Sequence, residues 1–248
     1  MLLLARIRNV VEWKAILNAI SGMIEDAMFI CNSDGITLRG LDSSHVALAD
    51  VTFPQSSFDK FEGKTSFFGI KLVDFKNVIN SALDTDLIEI QISDHSLMQI
   101  LINGSIEMEF HIKLLNNSEV NTPIPSVEYT SKVSLEPNTF HRILSNIQSV
   151  SEFVTINCKP TKIQFFGKSE AGDAKVDLEK GNSVIDVIRS SGHANAAYSL
   201  EYLMKISHDI GKTSTKMNFE YATKKPLHLQ YELPSGAMVE YYLAPRAE

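Results

Sequence analysis

The sequence is poor in cysteine and in positive charge, and it has no long apolar run. Two cysteines among 248 residues indicate reduced core residues and no disulfide between them. No apolar segment approaches the roughly 20 residues of a membrane-spanning helix, and two arginines interrupt the start of the chain where a signal peptide needs its apolar centre. We therefore expect an intracellular protein without a membrane segment. The net charge of -7 argues against a nucleic-acid partner unless the placement of the charges overrules the total.

Motifs of catalysis and cofactor binding are also missing. Gly211-Lys212-Thr213 is similar to the end of a phosphate-binding loop, but that motif needs a glycine where the chain has Ile206. We interpret Gly211 as the residue that ends a helix. The seven histidines lack zinc-ligand spacing. The sequence therefore predicts no metal site and no cofactor.

Two groups of polar residues deserve a separate test as catalytic candidates. In the segment 42–45 (Asp-Ser-Ser-His) a hydroxyl and an imidazole are neighbours, but neighbours in an extended chain point in opposite directions. We interpret the segment as a turn. Asp84 and Asp86 precede a strand-like run, and we interpret them as loop charges. The sequence thus predicts no enzyme.

What the sequence does contain is an internal repeat. When the chain is shifted by 127 residues against itself, the apolar positions of a helical segment and of the following strands coincide. The pairs are Trp13 with Phe140, Ile16 with Ile143, Leu17 with Leu144, Ile20 with Ile147, Cys31 with Cys158, Ile36 with Ile163, Gly40 with Gly167 and Asp50 with Asp177. Both halves also have the same order of helical and alternating segments. This indicates a duplication; the alternative is two independent α+β domains.

The two halves flank a segment of different composition. Residues 116–128 contain Pro123 and Pro125, several Asn and Ser residues and no apolar periodicity, which predicts an extended linker. The domains are therefore expected at 1–115 and 129–248. Helical spacing predicts helices at 10–24, 72–82, 137–150 and 200–210, among many strands with short turns and an irregular segment at 54–63. The fold class is α+β, with two helices on one face of a curved antiparallel sheet in each domain.

The polar faces of the four helices carry almost no acid. They hold Lys14, Asn18 and Ser21, then Lys76, Asn77 and Asn80, then His141, Ser145 and Gln148, then Lys205 and His208. Only Glu201 is acidic. A surface of neutral hydrogen-bonding groups and a few cations suits a phosphate backbone that is touched weakly; the alternative is an ordinary solvated helix face.

A few apolar residues fall at turns and chain ends, where burial is least assured. They are Ile124 and Pro125 in the linker, Pro226, and the run Tyr242 to Pro245. Clusters of this kind often mark an interaction surface; the alternative is a small satellite core under the linker.

Four segments resemble the proliferating cell nuclear antigen family of archaeal and eukaryotic DNA sliding clamps. They are LDSSHVAL (41–48), the linker with Ile124-Pro125, KPLHLQYEL (225–233) and YYLAPRAE (241–248), within a similarity that spans the chain in order. The resemblance implies a head-to-tail homotrimeric ring whose helices line a hole around duplex DNA. It also implies that the chain has no catalytic residues and needs no cofactor.

The resemblance further implies which residues meet partners. The pocket for partner peptides would consist of Leu41, His45, Val46, Leu48, Ile124, Pro125, Pro226, Tyr242, Leu243, Ala244 and Pro245. The DNA-facing residues would be Lys14, Asn18, Lys76, Asn77, Asn80, His141, Lys205 and His208. Asn77, Asn80, Ser145 and Glu201 stand where the family commonly has basic residues, which implies weak DNA contact. The subunit seam would pair residues 105–113 of one copy with residues 172–178 of the next.

The implied partners are encircled duplex DNA, DNA polymerase, the clamp loader, ligase and flap nuclease, in replication and repair, with no membrane. Two other functions stay open: a subunit of a heterotrimeric or checkpoint-type clamp that serves as an interaction platform, and a small-molecule hydrolase that uses His45. The sequence has no acidic tail after Glu248, which favours the cytoplasm of an archaeal cell over a nucleus.

Overall fold

The structure, a computed structural model, describes residues 1–115 and 122–247. The chain divides into two compact units: Met1–Pro123 with Leu233–Val239, and Ile124–Glu232 with Glu240–Glu248. Of the expected linker, residues 116–121 lie outside the described residues, and residues 122–128 have no regular secondary structure. None of the helices in the described ranges has the length and apolarity that a membrane crossing requires.

The described part of the first unit contains two helices among antiparallel strands. In chain order the elements are β1 (Leu3–Ile7), α1 (Val10–Ser21), β2 (Asp26–Asn32), β3 (Gly35–Leu41), β4 (Ala47–Pro54), β5 (Phe58–Gly63), β6 (Ser66–Lys71), α2 (Leu72–Ser81), β7 (Leu87–Ile92), β8 (Leu97–Asn103) and β9 (Glu107–Lys113). One group of strands has the order β5-β1-β7-β8-β9, and the other has the order β4-β3-β2-β6.

The second unit repeats this plan. Its elements are β10 (Ser131–Leu135), α3 (Pro137–Gln148), β11 (Phe153–Lys159), β12 (Lys162–Ser169), β13 (Gly172–Glu179), β14 (Ile185–Ser190), β15 (Ala194–Ser199), α4 (Leu200–Thr213), β16 (Lys216–Tyr221), β17 (Leu227–Glu232) and β18 (Met238–Leu243). The strand orders are β14-β10-β16-β17-β18 and β13-β12-β11-β15. The five-plus-four arrangement matches that of the first unit, as the internal repeat predicts.

An aromatic residue lies at the centre of each unit's core, and the two residues occupy equivalent positions of the repeat. Trp13 of α1 stacks on Phe53 with 3.9 Å between ring centroids and meets Phe75 of α2 edge-on. Phe140 of α3 packs on Phe219 with 5.6 Å between centroids. The 3.6-residue spacing therefore places the same face of each unit's first helix against its sheets.

Local signals explain where several elements begin. The side chain of Asn9 accepts a hydrogen bond from the backbone of Glu12 and caps α1. Pro137 occupies the first turn of α3, where its missing N–H costs nothing. At the β2–β3 turn, Asn32 Oδ1 accepts from the backbone N–H of Asp34 and Gly35, which fixes the hairpin.

Three expectations about the elements are wrong. The first helix ends at Ser21 instead of residue 24. Residues 58–63 form β5, an edge strand beside β1; its exposed charges at Asp59, Lys60 and Glu62 mask the alternation that buries Phe58. The fourth helix does not end at Gly211 but continues to Thr213. A Cβ at Gly211 would lie 3.4 Å from the carbonyl oxygen of Pro137, an ordinary van der Waals distance, so Gly211 lies inside α4 where this helix contacts the first turn of α3.

Both cysteines are free and fully buried, as predicted. Burial raises the pKa of the Cys31 thiol to about 11, and it also raises the pKa of Cys158. Protonated thiols in a core are poor nucleophiles, so these residues act as packing groups.

Gly40 of β3 and Gly167 of β12, which pair in the repeat, each allow a close contact with an isoleucine. A Cβ at Gly40 would lie 2.4 Å from Cγ2 of Ile24, and a Cβ at Gly167 would lie 2.4 Å from Cγ2 of Ile147. Each glycine thus lets its strand pass tightly over an isoleucine at the end of the unit's first helix or just beyond it. The two isoleucines are not a pair of the repeat, since Ile147 pairs with Ile20, but both units need a glycine at this position of the strand.

We expect Gly167→Ala to lower the free energy of unfolding by about 1 to 3 kcal/mol, because the added methyl group overpacks the core. The measurement is the urea midpoint. Gly192→Ala is the matched control, since a Cβ there meets nothing within 4 Å. Equal midpoints for the two variants would contradict the packing account.

Candidate nucleic-acid interface and partner-binding residues

The helices of the first unit bring predicted DNA-facing residues together. α1 and α2 contact each other, and the Asn80 amide donates a hydrogen bond to Asn18 at 2.8 Å. Asn77 is exposed and Lys76 is half-buried. This part of the helical surface is therefore a layer of amide groups with one lysine.

On the same helical surface, an ion pair partly neutralises the positive charge of Lys14. Its Nζ lies 2.7 Å from the carboxylate of Asp84, and its side chain is 22% exposed. Asp84 is therefore an ion-pair partner of the helical surface in addition to being the loop charge expected from the sequence. Asp86, by contrast, accepts a hydrogen bond from the backbone of Leu83 and stabilises the loop.

The expectation that Glu201 is the only acid on the helical polar faces is wrong. Asp74 in the first turn of α2 is exposed, and it precedes Asn77 by three residues, a spacing that places the two on one side of a helix. Asp74 is not among the polar helix positions selected from the sequence. The first unit's helical surface is thus closer to neutral than to positive.

In the second unit, side chains from α3 and α4 form a cluster of two histidines and a lysine. His141 Nδ1 lies 3.0 Å from the hydroxyl of Ser207, and the rings of His141 and His208 meet edge to face with 5.3 Å between centroids. Lys212 Nζ lies 3.2 Å from His208 Nε2. Lys212 is a functional candidate that the sequence interpretation missed, because the helix was expected to end before it.

Neighbouring carboxylates offset much of this positive charge. Lys205 forms an ion pair with Glu201 at 2.8 Å, and Asp209 Oδ1 lies 2.8 Å from His208 Nδ1. Burial lowers the pKa of His141, and the nearby His208 and Lys212 lower it further, against a weaker opposite effect of Asp209. His141 is therefore mainly neutral at neutral pH and adds a hydrogen-bonding group in place of a charge.

Residues 42–46 form a turn between β3 and β4 that is built on a buried aspartate. Asp42 Oδ1 accepts hydrogen bonds from the backbone of Val46 and Ala47 at 2.7 Å each, and His45 has a φ of 57°. Leu41 and Val46 are half-buried, His45 is exposed, and Leu48 is buried. Within the described residues the His45 ring makes no hydrogen bond to either neighbouring serine, so the geometry offers no activated hydroxyl.

The second unit's predicted peptide-binding residues differ widely in exposure. Ile124 is 40% exposed, whereas Tyr242 and Leu243 are 7% and 1% exposed. Tyr242 stacks on His228 with 4.4 Å between centroids. Pro125, Pro226, Ala244 and Pro245 are half-buried. Tyr242 and Leu243 are therefore core residues of the unit, and the neighbouring prolines and Ile124 supply its accessible apolar surface.

The expected seam strands lie at sheet edges. β9 is the last strand of β5-β1-β7-β8-β9, and β13 is the last strand of β13-β12-β11-β15. On one side of β9, Met108 and Phe110 are half-buried, and on one side of β13, Ala174 and Val176 are half-buried. The alternate positions of both strands carry charges. Each edge can therefore accept another strand through backbone hydrogen bonds and apolar contacts.

Two family models match consecutive parts of the chain. The N-terminal domain of proliferating cell nuclear antigen (PCNA) matches residues 2–117, and its C-terminal domain matches residues 123–246. A DNA polymerase sliding clamp from Cenarchaeum symbiosum is 35% identical over 95% of this chain and 94% of its own length. A protein of the same name from Nitrosopumilus maritimus is 35% identical over 96% of this chain and 95% of its own.

Solved structures share the fold. PCNA from Thermococcus kodakaraensis is similar with a TM-score of 0.91 at 20% identity, covering 98% of this chain and all of that one. A chain from the PCNA2-PCNA3 complex of Sulfolobus tokodaii gives a TM-score of 0.89 at 25% identity, over 99% of this chain and 100% of that chain. Two matched domains and near-complete relatives lead to one conclusion: the chain belongs to the proliferating cell nuclear antigen family and is a DNA sliding clamp with the duplicated α+β fold.

Proposed function

We propose that three copies of this chain close into a ring in which β9 of each copy pairs with β13 of the next. The observation that carries this proposal is the presence of two sheet edges with matching design, each with a half-buried apolar side and a charged side. A head-to-tail contact between two different surfaces closes into a ring when its rotation is one third of a turn. The ring then holds duplex DNA topologically, without a need for tight contacts.

The four helices form the surface that meets DNA in this proposal. Lys14, Asn18, Lys76, Asn77 and Asn80 act in the first unit, and His141, Lys205, His208 and Lys212 act in the second. Ion pairs with Asp84 and Glu201 leave few free cations, and each neutralised phosphate would add to affinity and salt dependence. Such a surface favours sliding along DNA over tight binding to it.

Partner enzymes are tethered through short peptides. The accessible apolar residues Leu41 and Val46 in the first unit, and Ile124, Pro125, Pro226, Ala244 and Pro245 in the second, contact the anchors of a partner peptide together with His45. The buried Leu48, Tyr242 and Leu243 support these residues from the core. Burial of two or three anchors at about 1.5 to 3 kcal/mol each supports micromolar or tighter binding.

The family is one of non-catalytic processivity factors, and we extend this to the chain itself: polymerase, clamp loader, ligase and flap nuclease supply the chemistry, and the ring raises their local concentration on DNA. The archaeal relatives support a cytoplasmic location. A heterotrimer is the second candidate, because the similar chain from Sulfolobus tokodaii belongs to a complex of two different PCNAs.

We expect light scattering at micromolar concentration to give three times 27.6 kDa, about 83 kDa, for the chain alone. Phe110→Asp should reduce this mass to that of a monomer, because it places a charge on the apolar side of β9. Phe67→Asp on β6 is the control, since Phe67 is already 47% exposed. A monomeric wild-type chain that assembles only with a sister protein would support the heterotrimer.

We expect Ile124→Asp to weaken the binding of a polymerase-derived anchor peptide by at least about tenfold, because the peptide would desolvate a carboxylate. Fluorescence anisotropy gives the affinity, and primer extension gives the loss of polymerase stimulation. Leu97→Asp is the matched control, with a wild-type exposure of 41% against 40% for Ile124. Unchanged affinity in Ile124→Asp would remove this residue from the site.

We expect the His141 imidazole to titrate below its ordinary value of 6.5, as followed by NMR. Because the folded state disfavours the protonated ring, this residue's stabilisation is fully present above about pH 6.5 and is lost as pH falls through the folded-state pKa. Lys212→Gln should raise the pKa of His141 by removing a positive neighbour. A His141 pKa above 6.5, or no response to Lys212→Gln, would contradict the cluster described for α3 and α4.

A further inference from the structure

The second unit contains an open cavity of about 490 Å³ beside β14, separate from the apolar residues considered above. Its basic lining residues are Lys132, Lys180 and Arg189, and its one acidic residue is Glu220. The remaining lining residues include Thr130, Ser131, Ser190 and Ser191. A cavity of this size can hold several side chains of a short peptide.

The charges of the cavity do not balance. Lys132 Nζ lies 2.9 Å from Glu220 Oε1, and His228 Nδ1 lies 3.5 Å from Glu220 Oε2, so the carboxylate is already compensated. Lys180 and Arg189 are exposed and enter no ion pair among the residues that the structure describes. Two uncompensated positive charges thus lie together on a chain whose net charge is -7.

The strand register indicates where a compensating negative charge would lie. Glu220 of β16 lies opposite Lys132 of β10, and Lys132 lies opposite Arg189 of β14. Like charges that face each other across neighbouring strands destabilise a sheet. The row Glu220–Lys132–Arg189 therefore lacks an acidic group at the next position, beyond β14.

That next position is a free sheet edge. β14 is the outermost strand in the order β14-β10-β16-β17-β18, so one side of it offers backbone N–H and C=O groups to a further strand. Asp186, near the other end of β14, lies 3.5 Å from the Ser134 hydroxyl, which donates a hydrogen bond to it. An added acidic residue is thus favoured at the Arg189 end and disfavoured near Asp186.

We propose that the β14 edge is a second protein-binding site, which takes an extended acidic peptide segment of a partner protein. The peptide adds a strand to the sheet of the second unit. One of its carboxylates continues the row at Arg189, and a further carboxylate meets Lys180. This site lies within one unit and does not depend on the ring or on the apolar peptide site.

The probe is a fluorescein-labelled peptide of about eight residues in which valine alternates with glutamate in one half and with serine in the other, because alternation places these side chains on one side of a strand and keeps the carboxylates at one end. Its counterpart has glutamine in place of glutamate. We expect the wild-type protein to bind the acidic peptide and to bind the glutamine peptide at least about tenfold more weakly. Added salt should weaken the first interaction.

The decisive variant is Lys180→Ala with Arg189→Ala, both at exposed positions. It should lose about tenfold in affinity for the acidic peptide. Arg142→Ala with Lys168→Ala is the matched control, since these residues of the second unit are also exposed and do not line the cavity. Hydrogen exchange should slow at residues 185–190 when the peptide binds.

Several outcomes would overturn the proposal. These are the absence of binding by the wild-type protein, equal losses of peptide affinity in the two double variants, and slowed hydrogen exchange that does not include residues 185–190. Circular dichroism of each variant shows whether the unit is still folded, and a folded double variant with wild-type affinity is the clearest refutation.

Discussion

The free edges of its sheets constrain what this chain can do. A β-edge carries unpaired backbone groups that must meet water, another strand or a protective side chain. Here β9 and β13 end their sheets with half-buried apolar residues on one side, a design that favours pairing over solvation. Because the two edges belong to different sheets, the pairing that we propose between copies would be head to tail, and this would give a closed ring a physical basis.

The helices follow from the same plan. Each unit buries one helical face through aromatic residues such as Trp13 and Phe140, and this leaves the opposite faces for a partner. Those faces are rich in amides and histidines, and two of their four lysines, Lys14 and Lys205, are paired with acids. In the proposed ring, closure around DNA, and not the affinity of this surface, would prevent dissociation, so a weakly charged surface could still serve a DNA clamp.

Most of the fold could be predicted from the sequence, because apolar spacing and turn residues fix helices and hairpins locally. The exceptions were decided by tertiary contacts. β5 has a charged exposed face that hides its alternation, and Gly211 lies inside α4, where the helix contacts α3, instead of ending it. The candidate site was less predictable. Lys14 pairs with Asp84 from a distant loop, and burial of Tyr242 and Leu243 depends on packing that a motif does not reveal.

Retention of the protein on DNA of different topology tests the central claim most directly. The clamp is loaded onto nicked circular DNA and separated from free protein by gel filtration in high salt, before and after a restriction enzyme linearises the circle. A topological link predicts that the protein stays with the circle and is lost from the linear DNA. Equal retention on both forms, or equal loss from both, would contradict it.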